Sequence, residues 1–313
     1  MEKMIKLDNG ILIPRLGLGP GMMGSFKSKI TLCSRWNIPL RAWNKYVARP
    51  YENRVLRTAH RDQFVNAIAD GIRAGVRLID YSAAYGNGNL IADAIERSGI
   101  PREEIFLTGR ISNRAQFGGS ASIREQIVRH LAEYRTDYVD LLMFHWPVTD
   151  CFETTWRVIS EEYEKGTARS IGVANCHPHH VKKLLNCGLR PMLNQFEVHP
   201  LFTQKDLIKF NQDNGILVES YTPIARMDAR LFRLPALNKI ARNHGKSAVQ
   251  VVLRWHVQQG LVPIFRSKNM QRIKENLDVF DFELSDVEMN TIDGFNINSR
   301  LRYDPDNCDF TIL

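Results

Sequence analysis

Apolar positions along this 313-residue chain follow two periods. Short, nearly continuous apolar runs read as buried strands: PRLGLG (14–19), VRLID (76–80), IFLTGR (105–110), VDLLMFHW (139–146), ARSIGVAN (168–175), PMLNQFE (191–197), ILVESY (216–221) and LVPIFRS (261–267). Between them apolar residues recur at three and four. RDQFVNAIADGIRAG, SIREQIVRHLAEY, VKKLLNCG, QKDLIKFNQDNG and SAVQVVLRWHVQQG therefore read as amphipathic helices, several ending in the glycine that stops a helix. The opening IKLDNGILIP is two short apolar runs around Asp8-Asn9-Gly10, a hairpin signal.

Strands alternating with helices imply parallel pairing through right-handed crossovers. Eight strands over this length predict a closed (β/α)8 TIM barrel, an α/β fold, with the N-terminal hairpin plugging one end. No repeat, low-complexity tract or linker divides the chain, so residues 1–313 are expected to form a single barrel. The apolar runs are far too short to span a bilayer, and the start lacks a signal-peptide pattern. Five scattered cysteines without a C-x-x-C pair suit a reduced, cytoplasmic protein.

Charge changes the picture in one place. The chain carries a net +8, and residues 20–61 hold nine Lys and Arg against the single acid Glu52, which is the entire excess. Residues 20–60 thus read as a basic insertion in the first βα loop, with Trp36, Trp43, Tyr46 and Tyr51 among its cations. Three readings stand: a lid that draws in an anionic substrate, an interaction surface, or a solvated lobe. No nucleic acid is expected as a partner, and a monomer is the default expectation.

In such a barrel chemistry sits at the C-terminal ends of the strands. Asp80 ends one strand and Tyr85 lies in the loop that follows; Arg110 ends the next strand and His145 the one after. A strand-end Asp often caps a helix and a lone His is often a core residue, but four such groups on one face form a site pattern. Two other motifs are set aside. GPGMMG (19–24) matches G-x-G-x-x-G, yet no helical period follows, and basic residues stand where an acid is required. CHPHH (176–180) bunches its ligands at a helix start, and no distant Cys or His pair completes a tetrahedron, so no metal is expected.

With these pieces placed, the chain resembles the aldo-keto reductases. LDNGILIPRLGLG, IDYSAAYGN, LLMFHWP, IGVANC, LNQFEVHP, VESYTPIA, FRSKNMQRIKENLDVFDFELS and the tail RYDPDNCDF follow the family's motifs in order, those of bacterial members in the tail. The resemblance implies NADP(H)-dependent reduction of a small carbonyl substrate, neutral or anionic. Tyr85 would supply the proton, Arg110 and Asp80 would form the cation–carboxylate pair behind it, and His145 would orient the substrate oxygen. It further implies that Asn175 and Gln195 hold the nicotinamide amide and that Tyr221 stacks on its ring. Arg266, Ser267 and Arg272 would grip the 2′-phosphate, Glu275 and Asn276 would contact adenine, and Trp146 would line the substrate pocket. Three positions depart from the family's pattern: Arg110 stands where it has lysine, Ala174 where it has serine, and Gly19-Pro20-Gly21 replaces G-T-W. A second reading follows from these departures: an NADP(H)-binding, catalytically weak sensor or regulatory protein on the same barrel.

Overall fold

The computed structural model describes residues 2–20, 52–82 and 88–311, with side chains in the first helix from residue 61 onward. All eight runs read as strands pair into a closed parallel barrel: β3 (Gly17–Leu18), β4 (Leu78–Asp80), β5 (Phe106–Ile111), β6 (Leu141–Phe144), β7 (Ile171–Ala174), β8 (Leu193–Glu197), β9 (Leu217–Tyr221) and β10 (Val262–Phe265), with β10 closing onto β3. Nearly every strand residue is buried, because the barrel lumen covers one face and the helices cover the other. This is why the strands read as continuous apolar runs. At Gly17 a Cβ would come within 2.5 Å of Ile264 and 2.7 Å of Leu78, so β3 keeps its place only with glycine there.

The hairpin forms as β1 (Met4–Lys6) against β2 (Leu12–Pro14), with Met4 opposite Pro14. Its turn is pinned to the barrel: Asn9 donates to the Arg169 carbonyl at 2.9 Å, and Arg190 pairs with Asp8. Residues 169 and 190 precede β7 and β8, so the hairpin closes the N-terminal end of the barrel, away from the strand ends where the candidate site lies.

Four boundaries differ from the sequence reading. The strand β3 is only two residues long. Arg110 is the penultimate residue of β5, and His145 lies one residue beyond β6. The first helix, α1, runs Glu52–Arg73 and not from residue 61. Phe64, Val65, Ile68, Ala69 and Ile72 form its buried face, whereas the basic stretch before residue 61 lacks that apolar period and gave no helical signal. The remainder of the expected insertion, residues 21–51 with its aromatic residues, lies outside the described residues, as do most of GPGMMG, Cys33 and Tyr85. Among the described residues Cys151, Cys176, Cys187 and Cys308 are free thiols, and no helix is long and apolar enough to cross a membrane.

Candidate active site

Register brings the first pair together. Asp80, the last residue of β4, stands beside Thr108 of β5, and Arg110 lies two residues further along β5 on the same face. The Arg110 Nη2 donates to Asp80 Oδ1, and both residues are buried, at 3% and 7% exposure. A second pair forms for the same reason: Gln195 and Glu219 are register partners on β8 and β9, and the Gln195 amide donates to Glu219 Oε1. Burial, reinforced by the nearby Asp80 charge, pushes the Glu219 carboxyl well above the usual carboxylate range, against the opposing pull of Gln195 and Arg110. Glu219 is therefore mainly protonated at neutral pH. Protonated, Glu219 adds no second carboxylate charge to the Asp80–Arg110 pair.

The ends of β6 to β9 carry the next group. The half-buried His145 anchors its backbone N–H on the Ile111 carbonyl at 2.9 Å, and its own carbonyl accepts from the Asn175 amide at 3.0 Å. Asn175 adopts a left-handed conformation (φ 59°), which turns its side chain back across the strand ends. Its Oδ1 accepts from the Tyr221 hydroxyl at 2.7 Å. Burial, with the positive charges of Arg110 and Arg302, holds the His145 imidazole well below its ordinary pKa, so the ring is neutral at physiological pH. A neutral imidazole donates one hydrogen bond without competing for the proton in transfer. Trp146 is buried against Phe310 of the C-terminal tail, with ring centroids 6.4 Å apart.

That tail is fixed at the same end of the barrel. The backbone N–H groups of Leu301 and Arg302 donate to the buried Glu197 carboxylate at 2.7 and 2.8 Å, and His199 adds a contact at 3.0 Å. Glu197 holds the backbone of Arg302 and leaves its guanidinium available. Among the described residues no carboxylate pairs with it, while its charge reaches both His145 and Tyr221.

The last group follows β10. Arg266 and Arg272 are exposed, Ser267 is partly exposed, and Asn269 caps the helix Met270–Leu277 by accepting from the Arg272 N–H at 3.0 Å. Lys246 nearby bridges Asp278 and Asp281, but among the described residues neither Arg266 nor Arg272 forms an ion pair. Glu275 accepts from Gln271 at 3.1 Å, and Asn276 is buried against the barrel. Guanidinium groups beside a helix N-terminus are chemically suited to an anion.

The structure thus gathers Asp80, Arg110, His145, Asn175, Gln195 and Tyr221 at one end of the barrel and sets Arg266 to Asn276 after β10. Tyr85 lies outside the described residues. Two residues escaped the sequence reading. Glu219 signals itself as an acid inside the apolar run ILVESY; Arg302 sits in a tail with no period to place it.

The Aldo/keto reductase family model matches residues 53–297. The uncharacterized oxidoreductase YtbE of Bacillus subtilis is 40% identical over 261 residues, covering 82% of this chain and 92% of its own. Glyoxal reductase of Bacillus subtilis is 37% identical over 307 residues, covering 98% and 97%. The crystal structure of the Bombyx mori aldo-keto reductase in complex with NADP superposes with a TM-score of 0.80 at 29% identity, over 97% of this chain and 95% of that one. Strand order, strand-end residues and these likenesses agree: the chain belongs to the aldo/keto reductase family, oxidoreductases that act on small carbonyl compounds.

Proposed function

We propose that the protein uses NADPH to reduce an aldehyde or ketone to the alcohol, with Tyr85 giving the proton. The observation that carries this reading is the buried Asp80–Arg110 pair, on the strand that ends five residues before Tyr85 in the sequence and the strand beside it. A phenol is a weak acid near neutrality, with a reference pKa of about 10. A fixed cation favours the phenolate left behind and makes the proton easier to give. Arg110 is that cation, and Asp80 fixes its guanidinium. Arginine cannot itself give up a proton, so its role is electrostatic, and Tyr85 regains its proton from water or another group. Neutral His145 donates to the carbonyl oxygen and sets its direction.

The residues present suit a dinucleotide phosphate. Arg266, Ser267 and Arg272 would hold the 2′-phosphate, and their unpaired charges support that role. Glu275 and Asn276 would contact adenine, Asn175 and Gln195 the carboxamide, and Tyr221 the ring face. Bound NADPH supplies the hydride. The Gln195 amide already donates to Glu219, which fixes its orientation before a cofactor arrives. The guanidinium of Arg302, which pairs with no carboxylate among the described residues, favours a substrate that carries a carboxylate or phosphate beside its carbonyl, in line with a basic 20–60 segment as a lid. We read the chain as one barrel unit carrying that insertion.

NADPH oxidation by the purified protein against neutral and anionic aldehydes and ketones tests this reading. Turnover is expected, and Tyr85→Phe should lower kcat by about 10²-fold or more. A protein that binds NADPH yet turns over none of the panel would instead be the cofactor-binding sensor.

A further inference from the structure

Three imidazoles and one carboxylate meet at the surface where the C-terminal tail crosses the loop after β7. His177 Nδ1 lies 2.7 Å from Asp306 Oδ2, His179 Nε2 lies 3.2 Å from Asp306 Oδ1, and His180 Nε2 lies 3.7 Å from the same oxygen. The donor atoms of His177, His179 and Asp306 all fall within 4.8 Å of one another. We propose that His177, His179 and Asp306 form a binding site for a divalent transition-metal ion of the zinc class, which ties the tail to the barrel.

The donor spacing supports this. Two ligands of a tetrahedral zinc, at bonds of about 2.0–2.1 Å, stand about 3.3 Å apart. His179 Nε2 already stands at that spacing from Asp306 Oδ1, while His177 Nδ1 contacts the other oxygen, Oδ2, at 2.7 Å, so the carboxylate has to turn slightly to present one oxygen to both rings. His177 and His179 are separated by one residue, and Pro178 between them begins the helix Pro178–Leu185, which fixes the backbone from which both rings project. His180 has a different part. Its Nδ1 accepts the His177 backbone N–H at 3.1 Å, so in the neutral ring the proton sits on Nε2, which faces Asp306. His180 thus turns its N–H towards the carboxylate from behind the ligands, at 3.7 Å, a place from which a small shift would make it a hydrogen-bond partner of a metal ligand. Asp306 is itself held in place by a turn in which its N–H donates to Asp304 Oδ1 at 3.1 Å.

Two neutral imidazoles and one carboxylate suit zinc, cobalt or nickel, and not calcium or magnesium, which take oxygen ligands. Water completes the fourth position, since the side chains of His179 and Asp306 are 56% and 38% exposed. The expectation that CHPHH holds no metal rested on the lack of a distant Cys or His. The completing ligand is an aspartate, 127 residues beyond His179. In the tail, Asp306 lies between the Glu197 clamp on residues 301 and 302 and the packing of Phe310 on Trp146. Metal here would add a third anchor to the segment that carries Arg302.

The test uses untagged, full-length protein stripped with EDTA, titrated with Zn²⁺ by calorimetry and melted with and without the ion. One Zn²⁺ per chain is expected to bind and raise Tm. His179→Ala and Asp306→Asn, both changes at the surface, should each weaken binding at least about tenfold and abolish the Tm rise. The Co²⁺ complex should show tetrahedral visible bands without thiolate charge transfer, which separates this site from one built on Cys151 or Cys308. No saturable Zn²⁺ binding, full binding by either variant, or thiolate bands would each overturn the proposal.

Discussion

The barrel buries an aspartate–arginine contact at each of its two ends, and the two are built differently. At the N-terminal end Asp140 precedes β6 and accepts from Arg102 at 2.9 Å, from Arg169 at 2.9 Å and from the Leu107 backbone N–H at 2.9 Å. Arg102 and Arg169 reach it from solvent, at 18% and 46% side-chain exposure, so their charges remain partly hydrated. At the other end both Asp80 and Arg110 lie inside the barrel, and a protonated Glu219 lies within electrostatic reach. The first arrangement saturates its carboxylate and locks a loop. The second keeps a buried charge pair within electrostatic reach of His145, where low hydration lets a charge act strongly on its neighbours. The chemical partners are alike; strand direction and hydration separate a structural tie from a chemical device.

Substituting each aspartate in turn puts that contrast to its hardest test. Asp140→Asn should destabilise the fold by about 1–3 kcal/mol, because two partly hydrated guanidiniums lose a charged acceptor, and should leave kcat unchanged below the melting transition. Asp80→Asn should lower kcat by about 10²-fold or more, since Arg110 is no longer held in place. Urea unfolding alongside steady-state kinetics reads both. Comparable kcat losses in the two variants would erase the distinction between the ends.

Arg302→Ala sharpens the reading of the reactive end. A charge-assisted hydrogen bond is worth about 1.5–3 kcal/mol, so KM for an anionic carbonyl should rise about 10- to 100-fold while that for a neutral analogue stays constant. An equal rise for both would assign Arg302 to holding the tail.

An effect on stability, not on turnover, is expected from Glu219→Gln, read through pH. The folded-state pKa of Glu219 is raised above its unfolded value, so its contribution to stability is fully present below about pH 4.5 and is lost as pH rises towards the folded value. The variant should therefore gain stability over the native protein as pH rises from about 4.5, by up to ~1.4 kcal/mol per pH unit within that window. The buried His130 and His256 titrate in the opposite sense. Burial lowers them to about 4 and about 3, so both proteins lose stability as pH falls below about 6.5. A constant difference between variant and native from pH 4.5 to 8 would mean that Glu219 is ionised in the folded protein.

Much of this was legible in the sequence, for identifiable reasons. Strands buried on both faces leave unbroken apolar runs, so all eight barrel strands could be read, along with five of the helical stretches; helices such as Gly88–Ser98 and Phe152–Glu164 were not among them. Asp80, Arg110 and His145 stood out because each places a polar group where such a run stops. Glu219 did not stand out because it lies inside its run, and its partner Gln195 belongs to a different strand; only the register of β8 against β9 joins them. The tail carries no period at all. Nothing local shows that Arg302 is clamped by Glu197 or that Asp306 reaches His177, since both contacts span more than a hundred residues of chain.

The central claim is that Arg110, paired with Asp80, is the cation that makes Tyr85 an effective acid. The most direct test is the single-turnover rate of carbonyl reduction, with saturating NADPH, in the native protein, Arg110→Lys and Arg110→Met. The account predicts turnover by the native protein and by Arg110→Lys, with a loss of about 10²-fold or more in Arg110→Met. An inactive native protein, with activity appearing only in Arg110→Lys, would contradict it and show that the arginine silences the site.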